Sequence, residues 1–346
     1  MPAPRPAAPA APRPAVTPMA FVRLMVRACE QRGLDPSAAL REAQITPAAL
    51  RRADARISAA QMETISGLAM QQLDDEALGW FSRRLPWGSY GMLCRASITS
   101  PRLGLALRRW CRHHRLLTED IVLHLAADGA GARLWIEERR ELGEMREFCC
   151  VTLLRYVHGF ACWAIDSRIP LREVHFPLAA PRHHDAYPAM FPGPVHFGMP
   201  HAGLVFDAAY LALPLRRDER ALQAMLQRAL PLTVRQYRRD RLLAQRVREA
   251  LRADTALLTD AAAVAAALNV SARTLHRQLR DEGCSLQQLK DEARHARALE
   301  LLERSRRPVK QIAAAVGFRN EKSFARAFAG WTGMPPSAWR DAARRP

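Results

Sequence analysis

The C-terminal part of the chain contains the same helical pattern twice. The first copy reads AAAVAAALNVSARTLHRQLR over residues 261–280, and the second reads VKQIAAAVGFRNEKSFARAFAGW over residues 309–331. Each copy predicts a short Ala-rich helix, a sharp turn and a second helix with one apolar stripe. The turns contain Asn269 and Gly317, residue types that tolerate the left-handed backbone of a tight helix end. One copy would be a weak signal, but two in tandem predict a pair of helix-turn-helix units.

The second helix of each copy begins with a good N-cap residue, Ser271 or Asn320. Helical spacing then separates an apolar inward stripe from a basic and polar outward face. The residues predicted to face inward are Leu275, Leu279, Phe324 and Phe328. The candidate DNA contacts on the outward faces are Arg273, Thr274, His276, Arg277 and Arg280 in the first copy, and Arg319, Asn320, Glu321, Lys322, Ser323 and Arg326 in the second. A helix fits the major groove, where Arg can donate two hydrogen bonds to a guanine edge. Solvated faces of ordinary helices are the alternative interpretation, which two matched copies disfavour.

Residues 241–345 resemble the DNA-binding domain of the AraC/XylS family of transcription regulators. The resemblance is most specific where the chain reads IAAAVGF, FARAF and GWTGMPPSAWR, between Ile312 and Arg340. It implies two helix-turn-helix units joined by one long helix, here Leu286–Arg304. The base-facing positions that it implies are Arg273, His276 and Arg277 in the first unit, and Asn320, Glu321, Lys322 and Arg326 in the second.

Two details of this resemblance concern single positions. The apolar stripe expected on the long helix consists of Leu289, Ala293, Ala296, Leu299 and Leu302. After Phe328 the family usually has basic residues, whereas this chain has Ala329 and Gly330. That departure puts a phosphate contact at this end of the second helix in doubt.

The residues before the repeats mix helical and strand patterns. Alternating apolar residues over 121–125 and 134–136, on either side of Asp128-Gly129, predict a β-hairpin. Further strands are predicted at 173–176 and 204–206. Predicted helices include one from Asp74 to about Leu85, one that begins at Pro101 after the N-cap Ser100 and runs through Arg115, and one from about Glu144 to Ile165. We therefore expect an α+β domain with four or five strands, followed by an all-α domain.

Residues 21–228 also resemble the N-terminal effector domain, the arabinose-binding domain, of the ornithine-regulator-like subgroup of the same family. The stretch that carries the resemblance begins REVHFPLAAP and continues with YPAMFPGPVHFGMPHAGLVFDAAYLALPL. It implies a regulatory domain that senses a small molecule or mediates self-association. The predicted organisation is a disordered Pro/Ala-rich tail (1–18), this α+β domain (19–230), a linker (231–240) and the DNA-binding domain (241–346).

A ligand pocket in the N-terminal domain should be mostly apolar, with a few orienting polar groups. The candidate ligand-binding residues are Trp87, Tyr90, Arg95, His114, Trp135 and His158, for each of which simple packing is the alternative interpretation. His175, His196 and His201 lie near predicted strands, but no acidic partner set stands out beside them, so we expect no metal. The sequence has no nucleophile elbow, Gly-rich phosphate loop or paired-carboxylate motif, so we expect neither an enzyme nor a cofactor.

Charge and cysteine content agree with a nucleic-acid-binding protein inside the cell. Residues 241–346 contain 20 Lys and Arg against 11 Asp and Glu, which is half of the formal net charge of +18. The seven Cys form no C-x-x-C pair, and no secretory signal or membrane span is apparent, which indicates a reducing compartment. We expect a cytoplasmic, nucleoid-associated bacterial protein without membrane contact.

Together these features predict a sequence-specific transcription regulator that is modulated by a small-molecule effector. Its expected partners are promoter or operator double-stranded DNA and the effector, with RNA polymerase and a second copy of the chain as further partners. Alternative functions are an architectural DNA-binding protein without effector and, less favoured, an enzyme built on the N-terminal domain. The sequence leaves the effector, the operator and the choice between activator and repressor open.

Overall fold

The computed structural model describes residues 16–227 and 242–343, which form two compact bodies, one on each side of the gap. Most of the predicted tail and the whole predicted linker lie outside the described residues. The predicted end of the tail at residue 18 is wrong. Thr17 and Pro18 form strand β1, which pairs antiparallel with β2 (Arg56–Ile57), and Thr17 is buried.

The N-terminal body contains a five-stranded sheet. Its strands are β3 (Ile121–Asp128), β4 (Gly131–Glu138), β5 (Leu171–Phe176), β6 (Val195–Phe197) and β7 (Ala202–Asp207). The order across the sheet is β3-β4-β7-β5-β6, and neighbours are antiparallel except for β5 and β6. The predicted hairpin is β3–β4, the two further predicted strands are β5 and β7, and β6 is the fifth strand.

The helices described in this body are α1 (Met19–Gln31), α2 (Ser37–Glu42), α3 (Pro47–Arg51), α4 (Ala59–Leu73), α5 (Ser89–Ile98), α6 (Leu103–His114), α7 (Arg146–Ala164), α8 (Tyr187–Met190) and α9 (Glu219–Leu226). Helix α7 is buried on nearly all sides, because its sequence is apolar around most of its circumference. On β4, Leu134 and Ile136 are buried and the alternate residues point outward, as the period of two requires.

The helix predicted from Asp74 to Leu85 is wrong, because Asp75 organises an irregular loop there. The Asp75 carboxylate is fully buried and accepts hydrogen bonds from the backbone N–H groups of Ala77, Gly79 and Leu85, each at 3.0 Å. Arg32 forms an ion pair with the same carboxylate at an N–O distance of 3.0 Å. A side chain that binds local backbone donors offers them an alternative to helical hydrogen bonds.

The C-terminal body is all-helical over the residues described. Its helices are α10 (Leu242–Ala253), α11 (Ala261–Ala267), α12 (Ala272–Asp281), α13 (Leu286–Arg304), α14 (Val309–Ala315), α15 (Glu321–Thr332) and α16 (Pro336–Ala343). A 3-10 turn at Thr255–Leu258 connects α10 to α11. The structure confirms a helical domain with two helix-turn-helix units, α11–α12 and α14–α15, joined by α13.

Helix α13 has the predicted bounds and begins with a capping box between Ser285 and Gln288. Its N-terminal part packs in one core through Leu286 and Leu289, and its C-terminal part packs in a second core through Ala298 and Leu302. The predicted apolar stripe is wrong at Ala296, which is exposed. The reason is that the two cores contact different faces of the helix, so the buried face changes along its length.

Candidate nucleic-acid interface

Helices α12 and α15 are each fixed at their N-termini by a sharp turn and a side-chain cap. The backbone is left-handed at Asn269 (φ 55°) and Gly317 (φ 81°), as predicted. The Ser271 hydroxyl accepts a hydrogen bond from the Thr274 N–H at 3.1 Å, and the Asn320 side-chain oxygen accepts one from the Ser323 N–H at 2.8 Å. These contacts satisfy N–H groups that the first turn of a helix leaves unpaired.

The inward stripes are buried as predicted. Leu275 and Leu279 are fully buried in an aliphatic core formed with α10, α11 and the start of α13. Phe324 and Phe328 are fully buried in an aromatic core, to which Phe318, Trp331 and Trp339 contribute partly buried rings. Burial of both stripes fixes which face of each helix is presented to solvent.

Most of the predicted DNA contacts lie on that presented face. The exposed residues of the candidate set are Arg273, His276, Arg277 and Arg280 on α12, and Arg319, Asn320, Glu321, Lys322, Ser323 and Arg326 on or just before α15. Within the described parts of the chain, no carboxylate pairs with these arginines or with Lys322. Arg297, an exposed arginine on α13, by contrast pairs with Glu300 at 2.6 Å. The free cations of α12 and α15 are therefore available to phosphates and base edges.

Three polar members of the candidate set are already engaged in the caps. Thr274 is half-buried and its hydroxyl lies 2.8 Å from that of Ser271. The Ser323 hydroxyl donates to the Asn320 side-chain oxygen at 2.8 Å, and that oxygen also accepts the Ser323 N–H. A base contact by Asn320 would therefore use its amide N–H groups.

A residue that the sequence did not single out connects the two helix-turn-helix units. Arg294, in the middle of α13, donates to the carbonyl oxygen of Leu258 at 2.8 Å and to Asp291 at 3.1 Å. Its guanidinium also lies over the Phe318 ring, 5.3 Å from the centroid. Leu258 belongs to the first core and Phe318 to the turn of the second unit. Arg294 thus adds polar and cation–π contacts to the covalent link that α13 provides.

Three of the six candidate ligand residues lie at separate places on the surface of the N-terminal body. Trp87 is 51% exposed, and Arg95 pairs with Glu219 at 3.0 Å. Trp135 stacks on the His124 ring, with centroids 4.8 Å apart, on the outward face of β4.

The other three candidate ligand residues lie inside the N-terminal body. Tyr90 packs against Trp110, with ring centroids 5.5 Å apart. Burial lowers the pKa of His114 to about 4, and it lowers that of His158 to about 4 as well. The His158 ring bonds the carbonyl oxygen of Ile169 at 2.9 Å. Each of the six residues thus has its own neighbours in the structure. Ligand binding by these residues stays a prediction.

The described residues include no group of three His, Cys, Asp or Glu side chains that could hold a metal ion. The rings of His175 and His196 do approach to 5.8 Å, but the partner of His175 is Glu173, at 2.7 Å. No helix in the described parts of the chain is long and apolar enough to cross a membrane.

Comparison with known proteins relates both bodies to one family. Residues 33–215, more than half of the chain, match the model of the arabinose-binding domain of AraC transcription regulators, and residues 264–342 match a helix-turn-helix domain model. The chain is 27% identical to the ornithine utilization regulator of Pseudomonas aeruginosa over 94% of this chain and 97% of that protein. It is 40% identical to the regulator VqsM of the same organism over 21% of this chain and 23% of that protein. The crystal structure of the P. aeruginosa regulator CdpR aligns with 88% of this chain and 96% of that chain, at 22% identity and a TM-score of 0.32. The chain belongs to the AraC family of transcription regulators.

Proposed function

We propose that this regulator recognises specific DNA sequences by placing α12 and α15 in successive major grooves of one operator. The observation that carries the proposal is the pair of capped helices, each with a buried apolar stripe behind a face whose cations form no ion pair with the described residues. A regulator needs such faces to be free, because Arg and Lys side chains must reach phosphates and base edges.

The connection between the two helices supports simultaneous binding. Helix α13 has 19 residues and is therefore about 28 Å long. One turn of DNA spans roughly 34 Å, so a rigid connection of this length suits two adjacent major grooves on one face of the duplex. Binding by both helices of one chain would cover about two turns of DNA, so a monomer suffices for recognition.

The N-terminal body would act as the sensor. It matches the effector domain of the family, and it is compact by itself. We propose that a small molecule bound there changes DNA binding, which requires that the effector has different affinities for two states of the protein. RNA polymerase and a second copy of the chain are proposed partners of this regulator at the bacterial nucleoid, and regulation of this kind requires binding rather than catalysis.

Selection of binding sites from random DNA with the full-length protein tests the proposal. We expect enrichment of a motif with two conserved blocks, spaced by about one helical turn. The affinity for this motif should exceed that for unrelated DNA by roughly 10³-fold or more at physiological salt.

The architectural alternative gives a different outcome in the same experiment. If the helix faces supply only charge, no motif is enriched and the affinity for every sequence falls in parallel with rising salt, with a slope set by the number of phosphate contacts. That result would contradict sequence-specific recognition.

A further inference from the structure

A narrow cleft lies in the N-terminal body between α1, α4, α7 and the loop that Asp75 organises. Its walls are largely apolar and include Phe21, Met62, Met70, Leu78, Phe148 and Val151. The space that is free of atoms is about 400 Å³ with the open mouth included, and its enclosed part has room for one or two water molecules. A larger molecule enters this cleft when the flexible side chains of Met62 and Met70 move aside.

Several polar groups in the walls lack good hydrogen-bond partners. Thr17 is 1% exposed, and its hydroxyl has no hydrogen-bond partner among the residues described. Ser66 is equally buried, and its hydroxyl contacts the sulfur of Met25 at 3.7 Å. Buried hydroxyls are normally well bonded. Two poorly satisfied ones on one apolar cleft indicate a place where a ligand supplies polar atoms.

Arg155 brings a positive charge to the same cleft. It is half-buried, and across residues 16–227 and 242–343 no carboxylate lies within ion-pair distance of its guanidinium. Arg146, on the same helix α7, by contrast pairs with Glu138 at 2.8 Å. Loss of hydration lowers the pKa of Arg155 to about 10, so it remains charged at neutral pH. A desolvated cation without a partner favours an anion at its side.

The neighbouring side chains add hydrogen-bond donors to this charge. Tyr156 and Thr152 line the cleft beside Arg155. Burial raises the pKa of the Tyr156 hydroxyl, which therefore stays protonated and can donate. None of the described residues that line the cleft is acidic. A ligand with an ammonium group would thus meet the Arg155 charge without a compensating carboxylate.

The loop side of the cleft has an unusual backbone conformation. Leu78 is fully buried in the wall and has φ 49°, in the left-handed region that a branched residue rarely adopts. Three hydrogen bonds from backbone N–H groups to Asp75, together with its ion pair with Arg32, hold the loop in this form. Backbone strain of this kind is concentrated at ligand-binding and switch segments.

We propose that this cleft is the effector site and that it binds an organic monocarboxylate with an unbranched apolar body. The guanidinium of Arg155 would hold the carboxylate with two parallel hydrogen bonds, and Tyr156 and Thr152 would donate to it as well. The apolar body would lie against Phe21, Phe148 and the methionines. This inference rests on the proposed function, in which the N-terminal body senses a small molecule.

Calorimetric titration of the full-length protein with straight-chain monocarboxylates, from acetate to decanoate, tests the proposal. We expect binding that strengthens with chain length up to the capacity of the cleft, and no binding of hexylamine or hexanol at the concentrations at which hexanoate binds. Arg155→Met should lower the affinity for the carboxylates by roughly tenfold or more, and Arg155→Lys should lower it less. Arg112→Met, which changes an exposed arginine on α6, is the matched control and should bind as the wild type does.

Two results would overturn the proposal. One is the absence of binding by every member of the carboxylate series, and the other is equal hexanoate affinity of the wild type and of folded Arg155→Met and Arg155→Lys. Binding of the selected DNA motif, measured with and without hexanoate, separates this inference from the proposed function. All variants should bind the motif without ligand, and hexanoate should change the affinity of the wild type but not that of Arg155→Met. If the wild type itself shows no motif preference, the proposed function fails whether or not hexanoate binds.

Discussion

The two helix-turn-helix units of the C-terminal body have the same backbone plan but different interiors. The first is held by an aliphatic core around Leu275 and Leu279, and the second by an aromatic core around Phe324 and Phe328. The turn residue is Asn269 in the first unit and Gly317 in the second. Capped ends and correctly spaced apolar residues therefore determine this motif, whereas the type of apolar side chain can vary.

The outward faces of the two units differ as well. Helix α12 presents three arginines and His276, without an acidic residue before Asp281 at its end. Helix α15 presents Lys322 and Arg326 together with Glu321 in its first turn. The first face should bind any DNA more strongly, because phosphates are attracted to arginine and repelled by glutamate. The second should depend more on which bases lie opposite it, since a carboxylate can accept a hydrogen bond from cytosine.

The largest expected effect comes from truncation of the cores. Phe328→Ala should lower the free energy of unfolding by about 3–5 kcal/mol and Leu279→Ala by about 2–5 kcal/mol, because each leaves a cavity in a fully buried site. Since α13 contributes to both cores, either change should loosen both units. Hydrogen exchange followed by mass spectrometry measures each unit separately. Faster exchange confined to the mutated unit would show that the two units are independent.

A smaller effect is expected from the connection between the units. Arg294→Met removes charged hydrogen bonds, including that to Leu258, and should cost about 1.5–3 kcal/mol. Arg297→Met is the matched control, since Arg297 makes an exposed pair with Glu300, and it should cost less than about 0.5 kcal/mol. Chemical denaturation of the full-length protein measures the difference in the free energy of unfolding between the two variants. Hydrogen exchange is followed in both units alongside. Equal stability of the two variants would mean that Arg294 does not hold the units together.

Substitutions at the two turn residues should have a more modest effect on the free energy of unfolding. A β-carbon on Gly317 would lie 3.3 Å from a methyl group of Thr259 at a positive φ, so Gly317→Ala should cost at least about 1–2 kcal/mol. Asn269 has the same backbone conformation but is exposed, so Asn269→Gly should change stability by no more than about 0.5 kcal/mol. Thermal unfolding curves of the two variants give the comparison, and a larger loss in Asn269→Gly would contradict it.

The smallest expected effect concerns the acidic residue on the second face. Glu321→Gln removes a negative charge from the first turn of α15, which should cost roughly 0.3–1 kcal/mol of helix stability. The same change should raise the affinity for random-sequence DNA, because it removes repulsion from phosphates. Fluorescence anisotropy with random and selected DNA measures both affinities. An unchanged ratio of the affinities for selected and random DNA would show that Glu321 does not contribute to specificity.

The parts of the fold that depend on local chemistry could be predicted from the sequence. Ser271 and Asn320 cap helices as predicted, Asn269 and Gly317 adopt the left-handed turn, and α13 has the predicted bounds. Each of these features is determined by a few neighbouring residues and their hydrogen bonds. The β3–β4 hairpin belongs to the same class, since alternation and an Asp-Gly turn specify it.

The parts that depend on distant neighbours could not be predicted. Asp75 lies in the helix predicted from Asp74 to Leu85, but its buried carboxylate binds the loop backbone instead. Ala296 fits a helical stripe, yet the second core contacts a different face of α13. Arg294 and Arg155 look like ordinary surface arginines in the sequence, because the groups beside them come from other elements of the fold.

The most direct test of recognition by two helices of one chain is a base-resolution footprint of the full-length protein on its selected motif, with Arg277→Ala and Arg326→Ala alongside. We predict two protected major-groove segments about one turn apart, the first lost selectively in Arg277→Ala and the second in Arg326→Ala, each variant weakened by about 1–3 kcal/mol. A single protected segment, or uniform weakening of the whole footprint in both variants, would contradict recognition by two helices of one chain.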